Sequence, residues 1–219
     1  KYFIPAHQGR ACENLLAKVL VKPGDVALMN YHFTTTKTHI NLCGGRVEEI
    51  FTDEAVKLVS DHPFKGNMDI QKLVALIEEV GAEHVPFVRL EMGTNLIGGQ
   101  PISLGNIKEV SSVCKKYGIL LMIDASLITD NLYFNKTREE ECKDMSIAEI
   151  ALAICNCADI IYFSARKLGS AKGGAIVVDD KNLYDQMKVL IPIYEGFLTY
   201  GGMSTREMEA VAIGLEEAV

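Results

Sequence analysis

Three side chains with reactive groups come just after predicted strands of this chain. They are Asn95, Asp124 and Lys167. The carboxyl ends of parallel strands meet at one edge of a sheet, which is where ligands of such sheets bind. A lysine can form a Schiff base with an aldehyde, and a carboxylate can stabilise a protonated ring nitrogen. We therefore expect the three side chains to converge on one cavity at this edge.

Two further segments have the composition of an anion-binding site. His7-Gln8-Gly9-Arg10 opens a predicted helix, where Gly9 lets backbone N–H groups approach an anion at the positive end of the helix dipole. The loop from Ser164 to Gly174 combines hydroxyls, cations and glycines, which suits a phosphate. Phe33 precedes three threonines and could stack on a flat ring. Together with Lys167, these features suggest pyridoxal 5'-phosphate held as a Schiff base.

Each feature also has a simpler interpretation. A lysine after a strand is commonly a solvated charge, an aspartate there a cap, and a Gly-Gly pair a turn. Phe33 taken alone suits a core position. His32 and His39 lie near two helical turns apart, but no third ligand is in register, so the sequence predicts no metal site. The cofactor hypothesis depends on the combination of features.

The elements that must position these residues alternate between strands and helices. Predicted strands cover 26–30, 47–51, 85–90, 119–123, 160–163 and 175–178. Predicted helices cover 8–21, 34–43, 69–80 and 106–117, and others begin at Ser146, about Leu183 and Ser204. The strands are almost continuously apolar, so the pattern predicts an α/β fold, a mostly parallel sheet with helices on both faces. No repeat or linker divides the chain, which favours one domain.

Composition excludes several classes of function. The 219 residues are 48% hydrophobic and carry a formal charge of -7 with no basic block, so sequence-independent nucleic-acid binding lacks its electrostatic basis. Apolar runs such as 119–123 are far shorter than the roughly 18 residues of a membrane span. Six scattered cysteines without a CxxC pair suit core positions in a cytoplasmic protein. The chain lacks an initiator Met and stops within a helical pattern, which predicts a fragment of a longer polypeptide.

Six motifs occur in order along nearly the whole chain. They are Pro5-Ala6-His7-Gln8-Gly9-Arg10-Ala11-Cys12-Glu13-Asn14-Leu15-Leu16, Phe33-Thr34-Thr35-Thr36, Asn95-Leu96-Ile97-Gly98-Gly99-Gln100-Pro101, Ser146-Ile147-Ala148-Glu149-Ile150, Tyr194-Glu195-Gly196, and Tyr200-Gly201-Gly202-Met203 followed by Met208-Glu209-Ala210. These motifs resemble the tryptophanase and tyrosine phenol-lyase family of β-eliminating lyases. The resemblance implies the large domain of a pyridoxal-phosphate fold of the aspartate-aminotransferase type.

The resemblance also implies a role for each matching residue. The phosphate cradle would comprise Gln8, Gly9, Arg10 and Ser164. Phe33 would stack on the pyridine, and Asn95 would lie near the cofactor's phenolic oxygen and the substrate carboxylate. Asp124 would be the partner of the pyridine nitrogen, and Lys167 the Schiff-base lysine. A small amino-acid substrate and a homo-oligomer are implied in the same way.

The chain departs from the family pattern at several of these motifs. Where the family has Asp-Ala-Thr-Arg, this chain ends the motif with Leu127, so the arginine expected at the phenolic oxygen is missing. Arg166 stands where the family has a second lysine. Leu168 replaces an aspartate before a loop one residue shorter, which puts activation by potassium in question. The general acid and the arginine that binds the substrate carboxylate would lie before Lys1 and after Val219.

The resemblance implies β-elimination, in which Lys167 removes the Cα proton of an amino acid and the products are pyruvate and ammonia. Transamination through the same cofactor is an alternative. A third hypothesis is a cofactor-free, non-catalytic relative that serves assembly, which Leu127 and Leu168 favour and which Lys167 and Asp124 oppose.

Overall fold

A mixed sheet is the centre of this computed structural model, which describes residues 1–169, 171–196 and 202–218. Its strands are β1 (Tyr2–Ala6), β2 (Val26–Met29), β3 (Arg46–Glu49), β4 (Phe87–Glu91), β5 (Leu120–Asp124), β6 (Ile160–Ser164) and β7 (Gly174–Val178). Their spatial order is β1-β7-β6-β5-β4-β2-β3. Strands β2 to β6 run parallel, whereas β7 runs antiparallel to β6, and β1 antiparallel to β7.

Helices follow most of the strands. They are α1 (Gly9–Leu20), α2 (Thr34–Leu42), α3 (Ile70–Val80), α4 (Leu104–Tyr117), α5 (Ile128–Arg138), α6 (Ile147–Cys155), α7 (Lys181–Lys188), α8 (Ile191–Tyr194) and α9 (Thr205–Glu217). The two capping boxes that the sequence predicts are confirmed: Ser146 pairs with Glu149 at α6, and Ser204 with Glu207 at α9. In the part of the chain described here, no helix has the length and apolar character that crossing a membrane needs.

Two apolar clusters cover the two faces of the sheet. One face packs against α1, α2 and α7, and its core includes Leu15, Met122 and Ile176. The other face packs against α3, α4, α5, α6 and α9, with Val88 and Ile107 among its buried residues. Each fully buried aliphatic side chain contributes about 1.5–3 kcal/mol. The predicted α/β class, with a mostly parallel sheet covered on both sides, is confirmed.

Some element boundaries differ from those predicted. Strand β1 and helix α5 were not predicted, and β3 covers Arg46–Glu49 rather than 47–51. Helix α4 begins two residues early because the Ser103 side chain accepts a hydrogen bond from the Asn106 N–H at 3.1 Å. Three of the six cysteines are buried as predicted, namely Cys12, Cys114 and Cys142. The others, Cys43, Cys155 and Cys157, are half-buried.

The unpredicted strand β1 determines where the first anion-binding segment lies. It runs antiparallel to β7, which is itself antiparallel to β6, so β1 points in the same direction as the parallel strands. Its carboxyl end therefore reaches the edge at which β4, β5 and β6 end. A separate bridge of parallel type joins Gln8 to Gly173 at the start of α1.

Candidate active site

A cavity of about 180 Å³ opens at the carboxyl edge of the sheet. Of the residues that the sequence singles out, its walls include Gln8, Gly9, Arg10, Phe33, Asp124, Ser164 and Lys167. Leu127 and Arg166, where the chain departs from the family pattern, also line it, as do Glu13, Glu91 and Tyr162, which have no predicted role. The structure thus brings together residues from β1–α1, α2, β5 and β6 that lie more than a hundred positions apart in sequence.

One end of the cavity is formed by the N-terminus of α1. Gln8 is the N-cap residue, with extended backbone, and among the described residues its side chain makes no capping hydrogen bond. A Cβ atom added to Gly9 would lie 3.0 Å from the Ser164 Cβ, so glycine allows α1 to approach β6. The first N–H groups of the helix, the exposed Arg10 side chain and the Ser164 hydroxyl can together bind a tetrahedral anion.

Gly174 keeps this end of the cavity closely packed, and we expect Gly174→Ala to disrupt it. An added Cβ would lie 2.5 Å from the Phe163 carbonyl oxygen and 3.0 Å from the Gly9 nitrogen, both backbone atoms. Because backbone must move, the free energy of unfolding should fall by about 1–3 kcal/mol in urea denaturation. Gly105→Ala is the matched control, because its new Cβ would meet only Glu139 Oε1 at an ordinary 3.5 Å. Equal stability of both variants would contradict the packing argument.

The lysine and the aromatic ring face each other across the cavity. Lys167 follows β6 in a turn closed by its N–H and the Ser164 carbonyl oxygen, 3.1 Å apart. Its Nζ lies 5.2 Å from the centroid of the Phe33 ring. Such a contact is worth only about 0.5–1 kcal/mol at an exposed site. Within the described ranges Lys167 forms no ion pair, whereas Asp124 pairs with Arg89.

Asp124 forms the buried floor of the cavity at the end of β5. Its Oδ2 accepts a hydrogen bond from Arg89 Nη2 at 2.7 Å, and its Oδ1 accepts one from the Ser126 N–H at 3.0 Å. The carboxylate is therefore held by one charged and one backbone donor. Each oxygen retains a lone pair, so Asp124 can still accept a hydrogen bond from a ligand.

Arg89 lies directly beneath this floor, and the sequence did not point to it. Its guanidinium is fully buried and also donates to Tyr162 Oη at 2.9 Å and to Glu91 Oε2 at 3.2 Å. Along β4, Phe87, Arg89 and Glu91 face α1, because side chains of a strand alternate between its two faces. The available signal was an arginine within a predicted buried strand, since a buried charge requires a charged partner.

Two glutamates extend the polar cluster around Arg89. Glu13 of α1 accepts hydrogen bonds from the hydroxyls of Thr35 and Thr36 at 2.5 and 2.6 Å. Glu91 Oε1 accepts the backbone N–H of Asn95 at 3.1 Å. Burial raises the pKa of both glutamate carboxyls above its ordinary value, although the nearby Arg89 charge opposes the shift. The cavity floor therefore combines one cation with three carboxyl groups.

Asn95 is the predicted site residue that the cavity wall does not include. It begins a short 3-10 turn (Asn95–Ile97) beyond the end of β4, and its side chain is exposed. Glu91, Met92 and Leu127 form the wall at this position instead. The chain turns outward after Thr94, so Asn95 lies beside the cavity wall, and its role at the cofactor stays a prediction.

Leu127 and Arg166, where the chain departs from the family pattern, both line the cavity. Leu127 is the N-cap residue of α5 and is half-buried. A Cβ on Gly93 would lie 2.9 Å from the Leu127 Cβ, so the strand end packs tightly against this leucine. Arg166 is exposed and lies next to Lys167. The cavity thus has an apolar side chain where the family pattern has a cation.

Comparison with known proteins agrees with this architecture. A family model described as "Beta-eliminating lyase" matches residues 1–213. The chain is 44% identical over 220 residues to a tyrosine phenol-lyase of Nostoc punctiforme, with 100% of this chain and 47% of that protein covered. It is also 44% identical over 220 residues to a tyrosine phenol-lyase of Pasteurella multocida, with 100% and 48% covered. The chain spans about half the length of these curated relatives.

Solved structures show the fold alone. A cystathione gamma lyase from Micromonospora echinospora superposes with a TM-score of 0.63 at 17% sequence identity, with 99% of this chain and 47% of that chain covered. A chain of the SepCysS-SepCysE N-terminal domain complex superposes with a TM-score of 0.64 at 15% identity, with 99% of this chain and 53% of that chain covered.

Proposed function

Because the chain belongs to the β-eliminating lyase family, we propose that it binds pyridoxal 5'-phosphate and carries the lysine for β-elimination of an amino acid to pyruvate and ammonia. The observation that carries this proposal is the cavity itself. An anion-binding helix terminus, an available lysine and a buried carboxylate line one space. A solvated lysine or a simple capping aspartate would not require this convergence.

The residues present fit the cofactor at its phosphate and at its ring nitrogen. The N-terminus of α1, Arg10 and Ser164 suit the phosphate, and the close approach at Gly9 brings backbone N–H groups to it. Phe33 offers a flat apolar surface for the ring, and Asp124 offers a carboxylate to its nitrogen. When bound, pyridoxal phosphate supplies an electron sink for the charge left when an amino acid loses its Cα proton.

The chain's own residues then perform three tasks. Gln8, Gly9, Arg10 and Ser164 bind the phosphate and so fix the position of the ring. Asp124 keeps a proton on the ring nitrogen, because its buried negative charge stabilises the positive form. Lys167 would hold the cofactor through its aldehyde carbon and, once the amino group of the substrate replaces it there, would take the proton from Cα of the substrate. The Asn95 backbone N–H donates to Glu91, and its exposed side chain lies beside the cavity wall. We propose that this side chain contacts the substrate carboxylate.

We extend the proposal to the substrate and the assembly. The curated relatives named tyrosine phenol-lyase favour an aromatic amino acid such as tyrosine. Family resemblance further supports a cytoplasmic homo-oligomer in which residues 1–219 form the large domain. Leu168, which stands where the family pattern has an aspartate, argues against activation of this chain by potassium.

Two measurements on the full-length protein test the proposal. Pyridoxal phosphate should produce a Schiff-base absorbance band, and borohydride reduction should attach it to the peptide that contains Lys167. Incubation with tyrosine should then release pyruvate and ammonia. A keto acid with the intact side chain would support transamination instead. Absence of both the band and the labelled peptide would favour the non-catalytic relative.

Leu127 gives a further prediction. Leucine donates no hydrogen bond to the cofactor's phenolic oxygen, so the deprotonated form of that oxygen lacks the cation of the family pattern. We expect Leu127→Arg to shift the pH titration of the Schiff-base absorbance and to raise kcat/KM for tyrosine or tryptophan. Arg166, which lines the cavity, is the nearest existing cation that could serve instead.

The control for this substitution is Leu127→Met, which changes shape without adding charge and should leave the titration in place. If Leu127→Arg changes neither measurement while its side chain is seen in the cavity, the position does not tune the cofactor. Leu127 would then be an ordinary packing residue.

A further inference from the structure

Arg89 is a fully buried cation beneath the cavity, and the proposed reaction gives it no task. Its guanidinium donates to Asp124 at 2.7 Å, to Glu91 at 3.2 Å and to Tyr162 at 2.9 Å. The Tyr31 carbonyl oxygen, 3.4 Å from Nη1, accepts a further bond. Burial of this cation costs desolvation free energy, which only hydrogen bonds and ion pairs with its partners can offset.

The position of Arg89 is defined by the register of three strands. Glu91 at the end of β4, Asp124 at the end of β5 and Tyr162 in the middle of β6 are paired neighbours, so they form a row across the sheet. Arg89 lies two residues before Glu91 on β4, and its guanidinium donates a hydrogen bond to each of the three side chains in the row. Its planar fork reaches two carboxylates with separate nitrogens, which a lysine ammonium cannot reproduce.

We infer that Arg89 is a positioning residue that holds the Asp124 carboxylate oriented toward the ring nitrogen of pyridoxal phosphate. The inference rests on the proposed function. Arg89 contacts no ligand itself, because its side chain is fully buried behind Asp124. It acts through the carboxylate that does line the cavity.

The charges around Asp124 explain why such a cation is needed. Glu91 is its neighbour on β4, and Glu13 approaches from α1 through the Tyr162 hydroxyl at 3.4 Å. The remaining partners, Thr35 and Thr36 from α2, are neutral donors. Without Arg89, the three buried carboxyl groups would lose the cation that they share, and Asp124 would lose the charged donor that fixes its Oδ2. An Asp124 that has lost this orientation would no longer stabilise a positive ring nitrogen.

Binding of two probes to the full-length apo-protein separates this role from general structural support. The first is pyridoxal 5'-phosphate, and the second is its 1-deaza analogue, in which a C–H replaces the ring nitrogen. We expect Arg89→Met to raise the Kd of pyridoxal phosphate by about 10–100-fold, a typical cost of losing a residue that orients a site group. The Kd of the deaza analogue should change by less than about threefold, because Asp124 has no nitrogen to contact there.

Two further variants sharpen the test. Arg89→Lys keeps the charge but not the fork, so it should show a smaller selective loss of pyridoxal phosphate binding, and it carries the test if Arg89→Met does not fold. Adding Arg89→Met to an Asp124→Asn background should produce little further selective loss. Arg138→Met, at an exposed arginine of α5, is the matched control and should bind both probes as the wild type does.

The outcomes distinguish this inference from the proposed function. If both Arg89 variants raise the Kd of the two probes equally, or change neither Kd, Arg89 does not act through Asp124. Either result would overturn the inference and leave the proposed function standing. Failure of the wild-type protein to bind pyridoxal phosphate would instead overturn the proposed function and this inference with it.

Discussion

Replacing Lys167 with alanine is expected to abolish the Schiff-base absorbance and to lower kcat/KM by about a thousandfold or more. The amine has two tasks in the proposed reaction, and a positioned proton-transfer group alone contributes about 10²–10⁴-fold. Stability should change little, because Lys167 is exposed and its side chain contacts the Phe33 ring only weakly, at 5.2 Å from the ring centroid. Steady-state kinetics and absorbance spectra of the full-length protein measure both effects.

Lys172→Ala provides the matched control for this substitution. Lys172 is an exposed lysine of the same loop, five residues further along, and it lies outside the cavity wall. Its removal should leave the spectrum and kcat/KM close to those of the wild type. If the Lys167 variant retained the Schiff-base band while the Lys172 variant lost it, the assignment of the reactive lysine would be wrong.

Asp124→Asn should have the second largest effect. The amide matches the carboxylate in shape but carries no charge, so it cannot keep a proton on the ring nitrogen. Loss of one preorganised electrostatic contact to developing charge costs about 10²–10³-fold in kcat. The variant should also lose stability, by about 1–3 kcal/mol, because buried Arg89 keeps Glu91 but loses one charged partner.

Kinetics and urea denaturation of the same protein separate these two effects. Asp130→Asn, at an exposed aspartate on α5, is the control and should be neutral in both measurements. An Asp124→Asn protein with reduced stability but unchanged kcat would mean that Asp124 serves only as the partner of Arg89. The role proposed for it at the ring nitrogen would then fail.

Local sequence patterns were sufficient for the architecture and for many of the residues that meet in the cavity. Continuous apolar runs such as 119–123 predict buried parallel strands, and the ends of such strands share one edge of a sheet. That rule alone led to Asp124 and Lys167. The glycine that opens α1 and the hydroxyl of Ser164 carried a local signal as well, because anion binding by backbone groups requires a recognisable composition.

Other features depend on contacts between distant segments, and only the tertiary structure decided them. The direction of β1, which brings Gln8 to the site, follows from its pairing with β7, more than 160 residues later. Asn95 lies outside the cavity wall because the backbone turns after Thr94, and strand-end rules do not describe such a turn.

The buried charges around Arg89 show most clearly what sequence patterns could not predict. The sequence by itself determined that an arginine sits in an apolar strand, but not which carboxylates neutralise it. Arg89 meets Asp124 and Glu91 because β4 and β5 pair in one register, and a shift of one residue would turn those side chains to the opposite face of the sheet. Local composition sets which elements form, whereas the pairing of strands far apart in the chain sets which charges meet.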